Sequence, residues 1–425
     1  MTTKSKVPQI RFKGFSGEWE KNRLKELTEI LRCGIAATPQ YVDDGVVFLS
    51  SQNVTNSGKI NLEKFNYISE EYYKKISKNA KLLKGDILYT RVGAGFGNST
   101  VFPYDGDYGV YVSLTHIRTN KNLNNKFLNH LLNSPICKEQ AENGVFQGGG
   151  VPNLNVKIVE NFNIVYPKTE NEQIKIGDYF QQIDILIEQK EKKYQKLKQF
   201  KKAMLDKMFP KNGADTPKIR FKGFSGKWKE KSLDELCLII TKQTGFDYSA
   251  TIKPSLVNYE SNDTYSFIQN KDFDGTNINL QTDFYIPKNI AENFPRILID
   301  QPSILITISG KIGNVGLYSL SNKAFIGGAV GICKLINYAD GLTILYNLLS
   351  QKGQSYFKSL VKASSHSNIT VEDIRKIKVQ IPIEKEEQEK IGSYFQKLDK
   401  QIDLQQKELE KLKNIKKASL SKMFV

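Results

Sequence analysis

The residues Ile10-Arg11-Phe12-Lys13-Gly14-Phe15-Ser16-Gly17 return unchanged as Ile219-Arg220-Phe221-Lys222-Gly223-Phe224-Ser225-Gly226. A chain with such a repeat is folded from two copies of one unit, and self-similarity on this scale limits the architecture more than any local propensity does. A second pair of segments repeats as well. Residues 172–209 and 387–424 both open on Glu-Gln-x-x-Ile-Gly-x-Tyr-Phe-Gln and both close on Lys-Met-Phe. Between these ends the two middles have drifted far apart. Shared ends around different middles predict one scaffold used twice to hold two different reading heads, which is a binding architecture before it is a catalytic one.

The repeated C-terminal segments carry a narrow apolar stripe. In the first, Ile176, Ile183, Lys190, Leu197 and Met204 fall seven apart, with Phe180, Ile187, Tyr194 and Met208 beside them. In the second, the same places hold Ile391, Leu398, Gln405, Leu412 and Ser419, with Phe395, Ile402, Leu409 and Met423. A stripe of this width is a coiled-coil seam. At 1.5 Å per residue a helix of roughly 38 residues runs about 57 Å, long enough to hold two heads apart. If the two helices pair antiparallel about a pseudo-two-fold axis, their polar breaks, Lys190 and Gln405, meet at the midpoint. They would then fix the register, since sliding buries either one against an apolar neighbour. The alternative is that each stripe docks onto its own globular domain.

Each middle reads as mixed α/β. In the first, Val46 to Leu49, Asp86 to Thr90 and Tyr108 to Ile117 are strands bounded by turn residues, and Phe127 to Asn143 is a helix ended by Gly144. In the second, Phe267-Ile268, Ser303 to Ser309 and Phe325 to Leu335 follow in the same order, then a helix from Leu342 to Lys358. The breaker cluster from Pro210 to Pro217 joins the halves. The expected organisation is a first head with its repeat box over 1–168, a first spacer helix over 169–210, a second head over 211–383 and a second helix over 384–425.

Charge narrows the partner. Sixty-two Lys and Arg against 45 Asp and Glu leave a net charge of +17, which points to a polyanion, with nucleic acid first among candidates. The N-terminal stretch lacks the apolar core of a signal peptide and no apolar run approaches a membrane span, so the cytoplasm and no membrane partner are expected. Cys33, Cys137, Cys237 and Cys333 lie far apart without a CxxC spacing and read as buried small hydrophobes. Catalytic signatures are missing. No two prolines adjoin, every Gly-Lys pair is followed by Ile or Trp where a phosphate loop needs Ser or Thr, and His116, His130 and His366 lack a metal-ligand spacing. No catalytic and no metal-ligating residues are therefore expected.

The opening box running to Trp19, its second copy running to Trp228, and the segments Pro167 with Glu172-Gln173-Ile174-Lys175-Ile176 and Pro382 with Glu387-Gln388-Glu389-Lys390-Ile391 resemble the repeated ends of specificity subunits of type I restriction-modification enzymes. The resemblance covers nearly the whole chain. It implies two α/β target recognition domains joined by long antiparallel coiled-coil helices, each domain reading one part of a split duplex DNA sequence. It also implies a non-catalytic chain that binds no cofactor. The family's partners are two modification subunits, which methylate adenine with S-adenosylmethionine, and restriction subunits, which use ATP and Mg²⁺ to translocate and cut.

Candidate DNA contacts come from places where the two middles match. Asp86 to Gly93 and Ser303 to Gly310 read as the same strand entering the same glycine-rich loop, followed by Asn98-Ser99 and Asn314. There Arg91 suits guanine or phosphate and Asn98 suits adenine, with Lys311 and Asn314 in the other head. Gln147 lies before Asn153 as Ser364, Ser365 and His366 lie before Asn368, which fits loops of different content at one site. Gln52, Asn53, Gln269 and Asn270 form a third set. The lysine-rich face from Lys190 to Lys202 can track unread DNA or meet acidic partners. Partner docking is expected on the repeated spacer helices, marked by Ile176, Ile183, Lys190, Leu197, Ile391, Leu398, Gln405 and Leu412, and on the repeated Phe-Gly-Phe boxes. Two other classes stay open. A stand-alone nuclease or methyltransferase would act on DNA without partners, and a coiled-coil scaffold without a DNA role would show no salt-dependent duplex binding.

Overall fold

The computed structural model describes residues 6–55, 58–145, 150–211, 213–319, 322–363 and 368–425. The chain divides into two compact units, one made of Met1–Glu191 with Lys407–Val425 and the other of Lys192–Gln406. The division falls inside the two long helices, so each unit takes the first part of one helix and the last part of the other.

The strands of the first unit are β1 (Glu20–Arg23), β2 (Thr28–Cys33), β3 (Val46–Leu49), β4 (Asn66–Ile68), β5 (Ile87–Thr90), β6 (Ser99–Val101), β7 (Tyr108–Val110), β8 (Leu114–Thr119) and β9 (Asn163–Tyr166). An antiparallel sheet runs β2-β8-β5-β6, a smaller one runs β4-β3-β7, and β1 pairs with β9. The second unit has β10 (Lys229–Ser232), β11 (Cys237–Lys242), β12 (Thr264–Ile268), β13 (Phe273–Asp274), β14 (Asn277–Ile278), β15 (Tyr285–Pro287), β16 (Leu298–Ile299), β17 (Ser303–Thr307), β18 (Val315–Tyr318), β19 (Ala324–Ile326), β20 (Val330–Leu335) and β21 (Lys378–Ile381). Its sheets run β11-β20-β17-β18 and β15-β12-β19-β16, and β10 pairs with β21. Strand for strand this is the topology of the first unit, with β16 and the β13-β14 hairpin added.

Alternation along one strand builds two cores at once. All of β5 is buried, but Ile87 and Tyr89 face a core with Trp19, Phe127 and Ile176, while Leu88 joins Leu49, Val54 and Phe102 on the other face. In β17 the same split sends Ile304 and Ile306 one way and Leu305, with Phe267, the other. Two expected elements divide where local chemistry demands it. The stretch 108–117 becomes β7 and β8, which belong to different sheets. The helix expected over 127–143 becomes Asn125–Leu132 and Pro135–Gly144, because Pro135 cannot continue a helix but starts one well. Likewise 325–335 becomes β19 and β20 across Gly327-Gly328, and 342–358 becomes Gly341–Leu349 and Gln351–Ala363.

The long helices span Glu170–Met208 and Lys385–Lys422. Within the first unit their segments run antiparallel: the hydroxyls of Tyr179 and Ser419 lie 3.2 Å apart, Lys416 meets Asp184 at 2.6 Å, Lys413 meets Glu191 at 2.7 Å, and Lys190 pairs with Glu408. Within the second unit Tyr194 donates to Gln406 at 3.1 Å, Lys201 pairs with Asp399, and Phe209 stacks on Phe395. The polar break at Lys190 thus takes the carboxylate of Glu408, while Gln405 is buried. Ile183 is buried, and Leu197 and Leu412 are half-buried. The stripe does two jobs. Ile176 and Phe180, like Ile391, Phe395 and Leu398, also pack into the core of their own unit.

The repeated octapeptide is a clamp. Arg11 grips Glu172 through Nε and Nη2 at 2.7 and 2.8 Å, and donates to the carbonyls of Gly17 and Ser16 at 2.6 and 3.0 Å. Arg220 repeats this on Glu387 at 2.7 and 2.8 Å, with Gly226 and Ser225. Each box also closes a helix C-terminus: the Ile10 amide donates to the Lys422 carbonyl at 3.0 Å, and the Ile219 amide to the Lys207 carbonyl at 2.8 Å. Box, head, helix start and helix end therefore close on one another inside each unit, which is the physical reason for the shared ends. Among the described residues, no helix is long and apolar enough to cross a membrane.

Candidate nucleic-acid interface

In both units the loop after the central strand is held in the same way. Thr90 N donates to Asn98 O at 2.8 Å and Gly97 N to Thr90 O at 2.8 Å; Thr307 N donates to Asn314 O at 2.9 Å and Gly313 N to Thr307 O at 3.1 Å. Gly93, Gly97, Gly310 and Gly313 all have positive φ, a backbone state that side chains resist, so the turn requires glycine there. The second expected loop joins the first in each unit. Val92 bridges to Asn153, with Leu154 N on Arg91 O at 2.8 Å, and Ser309 bridges to Asn368, with Ile369 N on Ile308 O at 2.9 Å. Gln147, Ser364, Ser365 and His366 lie outside the described residues.

The individual candidates separate into outward and inward groups. Arg91 is half-buried and spends three of its five N–H donors internally, on Leu154 O at 2.8 Å, Val112 O at 2.8 Å and Asn153 Oδ1 at 2.9 Å. It is a strut between the two loops with two donors left over. Asn153 and Lys311 are exposed and Asn314 is half-buried. Asn98 and Ser99 correct the expectation of outward readers, because both are buried. Asn98 accepts from Lys138, and Ser99 donates to Asn129 Oδ1 at 2.9 Å. They sit where the end of the hairpin packs on helices Asn125–Leu132 and Pro135–Gly144, and their side chains are taken up by those helices. Asn53 is buried as well, its amide donating to the carbonyls of Asn61 and Lys64 at 2.9 and 2.8 Å, which makes it a loop organiser.

Strand order brings in residues that sequence reasoning missed. β11 and β17 both pair antiparallel with β20, so both end at one sheet edge. Lys242, the last residue of β11, and Phe246, just beyond it, thus join Lys311 there, and Phe246 is 82% exposed. Beside them Gln243 is buried with neither amide atom hydrogen-bonded among the described residues. No local signal marks these residues, because the order of strands in a sheet is a tertiary property.

At the opposite end of β5, Asp86 binds His116 Nε2 at 2.7 Å and Arg118 Nε and Nη2 at 2.8 and 2.7 Å. Burial alone raises this carboxyl, but the hydrogen bonds from His116 and Arg118 outweigh it and hold it at about 2. On the helix side, burial, with Lys416 and Lys126 nearby, pushes His130 down to about 3.

Two units of one topology, each clamped to its own helix segments and presenting different side chains at the same sheet edge, define a duplicated recognition scaffold. The model of the type I restriction modification DNA specificity domain matches residues 16–199 and again 225–414, and the chain belongs to that family as a type I specificity subunit. Among its relatives are two from Methanocaldococcus jannaschii. The putative type I restriction enzyme MjaX specificity subunit is 25% identical over 414 residues, covering 94% of this chain and 91% of the relative. The type I restriction enzyme MjaVIII specificity subunit is 25% identical over 365 residues, covering 82% and 80%. Among solved structures, the S subunit of a type I system from M. genitalium superposes with a TM-score of 0.64 at 16% identity, covering 99% of both chains. A chain from a structure on complex assembly and conformational transition of the type I R-M system gives 0.54 at 19% identity, covering 95% of this chain and 96% of that one. At these identities the structural likeness speaks for the fold alone.

Proposed function

We propose that each unit reads one part of a split, asymmetric duplex DNA sequence, and that the chain itself is non-catalytic. One observation carries this reading: the same strand-loop frame, with Asn153 and Asn368 at equivalent places, presents Arg91 in the first unit but Lys242, Phe246 and Lys311 in the second. One frame with two chemistries suits two different half-sequences. The net charge of +17 supports a duplex partner.

The helices dock two modification subunits that methylate adenine. Two identical partners need two equivalent surfaces, and Phe200 and Ile415, at matching places on the two long helices, are both exposed apolar residues. Restriction subunits join the same assembly. S-adenosylmethionine, ATP and Mg²⁺ are used by those partners, and the complex works in the cytoplasm.

Replacing residues 30–165 with another head tests the reading. In the assembled complex, the methylated motif should change in one half and keep the other, and assembly should survive. A change in both halves would refute independent heads, and failure to assemble would refute docking on the shared parts. The chain alone, given duplex with Mg²⁺, ATP or S-adenosylmethionine, should neither cut nor methylate it.

A further inference from the structure

The first unit holds a cavity of about 320 Å³ between its head helices and its long-helix segments, lined in part by Asn129, Asn133, Lys138, Lys413, Lys416 and Lys417. Positive charge outweighs negative there. Among the described residues Asp184 is the one carboxylate of the lining, and it is already paired with Lys416 at 2.6 Å, while Lys413 pairs with Glu191 at 2.7 Å. Lys138 is different. Its ammonium, half-buried beneath the glycine-rich loop, bonds the neutral amide oxygen of Asn98, and Lys417 has no ion pair among the described residues. Burial lowers the Lys138 pKa, with Glu142 one turn along raising it less. A partly desolvated ammonium facing a neutral acceptor carries a cost that an anion would offset.

The second unit serves as an internal control. It repeats the helix lysines as Lys198, Lys201 and Lys202 and the acid as Asp399, but its head supplies other groups. Tyr346 stands in the place of His130 and donates to Asp399 at 2.8 Å, with Thr276 adding a bond at 3.2 Å. Leu345 and Leu349 replace Asn129 and Asn133, and Gln354 replaces Lys138, donating to Gly313 O at 3.0 Å. The first head has thus placed a cation and two amides where the second has apolar and neutral groups. We propose that the cavity of the first unit is a phosphate-binding site, with the Lys138 and Lys417 ammoniums and the Asn129 amide as its donors. The phosphate comes either from a duplex backbone or from a free anion. Only the first source rests on the DNA-binding reading above.

The full chain is compared with Lys138→Gln, which installs the side chain of the second unit, and with the surface change Lys417→Ala. Titration with inorganic phosphate against chloride at equal ionic strength reads the site directly. Wild type should bind phosphate, and Lys138→Gln should weaken it roughly tenfold, as loss of one charge-assisted hydrogen bond implies. Duplex binding between 50 and 200 mM salt reads the source. A backbone phosphate in the cavity makes the slope of log K against log salt shallower by about 0.9 in each variant, uniformly across sequences. Phosphate binding lost with an unchanged slope assigns the site to a free anion. If wild type binds phosphate no better than Lys138→Gln and the slopes agree, the proposal is overturned. Wild type that binds no duplex at all refutes the DNA-binding reading, and the phosphate titration still decides the site.

Discussion

Removing the Arg11 guanidinium should unfold the first unit early and leave the second untouched. In Arg11→Met the Glu172 carboxylate, only 2% exposed, loses both of its charged hydrogen bonds, and the carbonyls of Gly17 and Ser16 lose theirs. Breaking one side of a buried ion pair costs about 3–5 kcal/mol, because the remaining charge is left without compensation. With a urea m-value of about 3 kcal/mol/M for a unit of this size, the midpoint should fall by about 1 M. The chain supplies its own unit-specific probes: its only two tryptophans, Trp19 and Trp228, are buried one in each unit. Urea titrations followed through Trp19 in a Trp228→Phe background, and through Trp228 in a Trp19→Phe background, separate the transitions. Adding Glu172→Gln to Arg11→Met should restore about half the loss, since a neutral amide is cheaper to bury than a carboxylate. A Trp19 midpoint that moves by less than about 0.3 M, or a double variant no better than the single one, would refute the argument that the clamp holds the box to the helix.

Other outcomes follow from the same geometry. His130 is buried with its pKa held at about 3, so the unfolded chain takes up a proton that the folded one refuses. Stability of the first unit present above about pH 6.5 should be lost towards pH 3, at about 1.4 kcal/mol per pH unit in the steep region, and His130→Gln should flatten that slope in Trp19 unfolding curves. Asp86 has the other form of the dependence: its carboxyl is held at about 2, so its contribution of about 2 kcal/mol is present above pH 3.9 and disappears as pH falls through 2. Asp86→Asn should remove that loss and lower stability at neutral pH. Tyr346→Phe deletes the hydroxyl that bonds Asp399, and should cost the second unit about 1 kcal/mol in the Trp228 transition with no change in the Trp19 transition.

Repetition made the architecture legible. Two identical boxes, two matched helices and the seam from Ile176 to Met204 are periodic signals that survive without a structure. Even the clamp was written twice, as Arg in the octapeptide and Glu in the Glu-Gln segment, although nothing local says that they meet. Strand limits were readable where burial on both faces left a continuous apolar run, as in β5, but not where one run serves two sheets, as in β7 and β8. The candidate interface was half legible. Loop partners could be matched between the heads because each has an Asn before an aliphatic residue, Leu154 or Ile369, and Val92 with Asn153 and Ser309 with Asn368 do meet. Which side chains point outward could not be read. Asn98 turns in because it ends a tight hairpin against a helix, and Phe246 joins the edge only through strand order.

The discontinuous first unit has a consequence for biogenesis. The second unit is one unbroken stretch of chain, whereas the first needs Met423 and Phe424, which pack beside Trp19 and Phe180 in its core. A ribosome delivers those two side chains only after the whole of the second unit has emerged, so the head translated first is the one completed last. Until then, an apolar patch around Phe127 and Phe180 stays uncovered for the tens of seconds that roughly 200 residues take at about 5–20 residues per second, an interval in which a chaperone or an early partner can cover it.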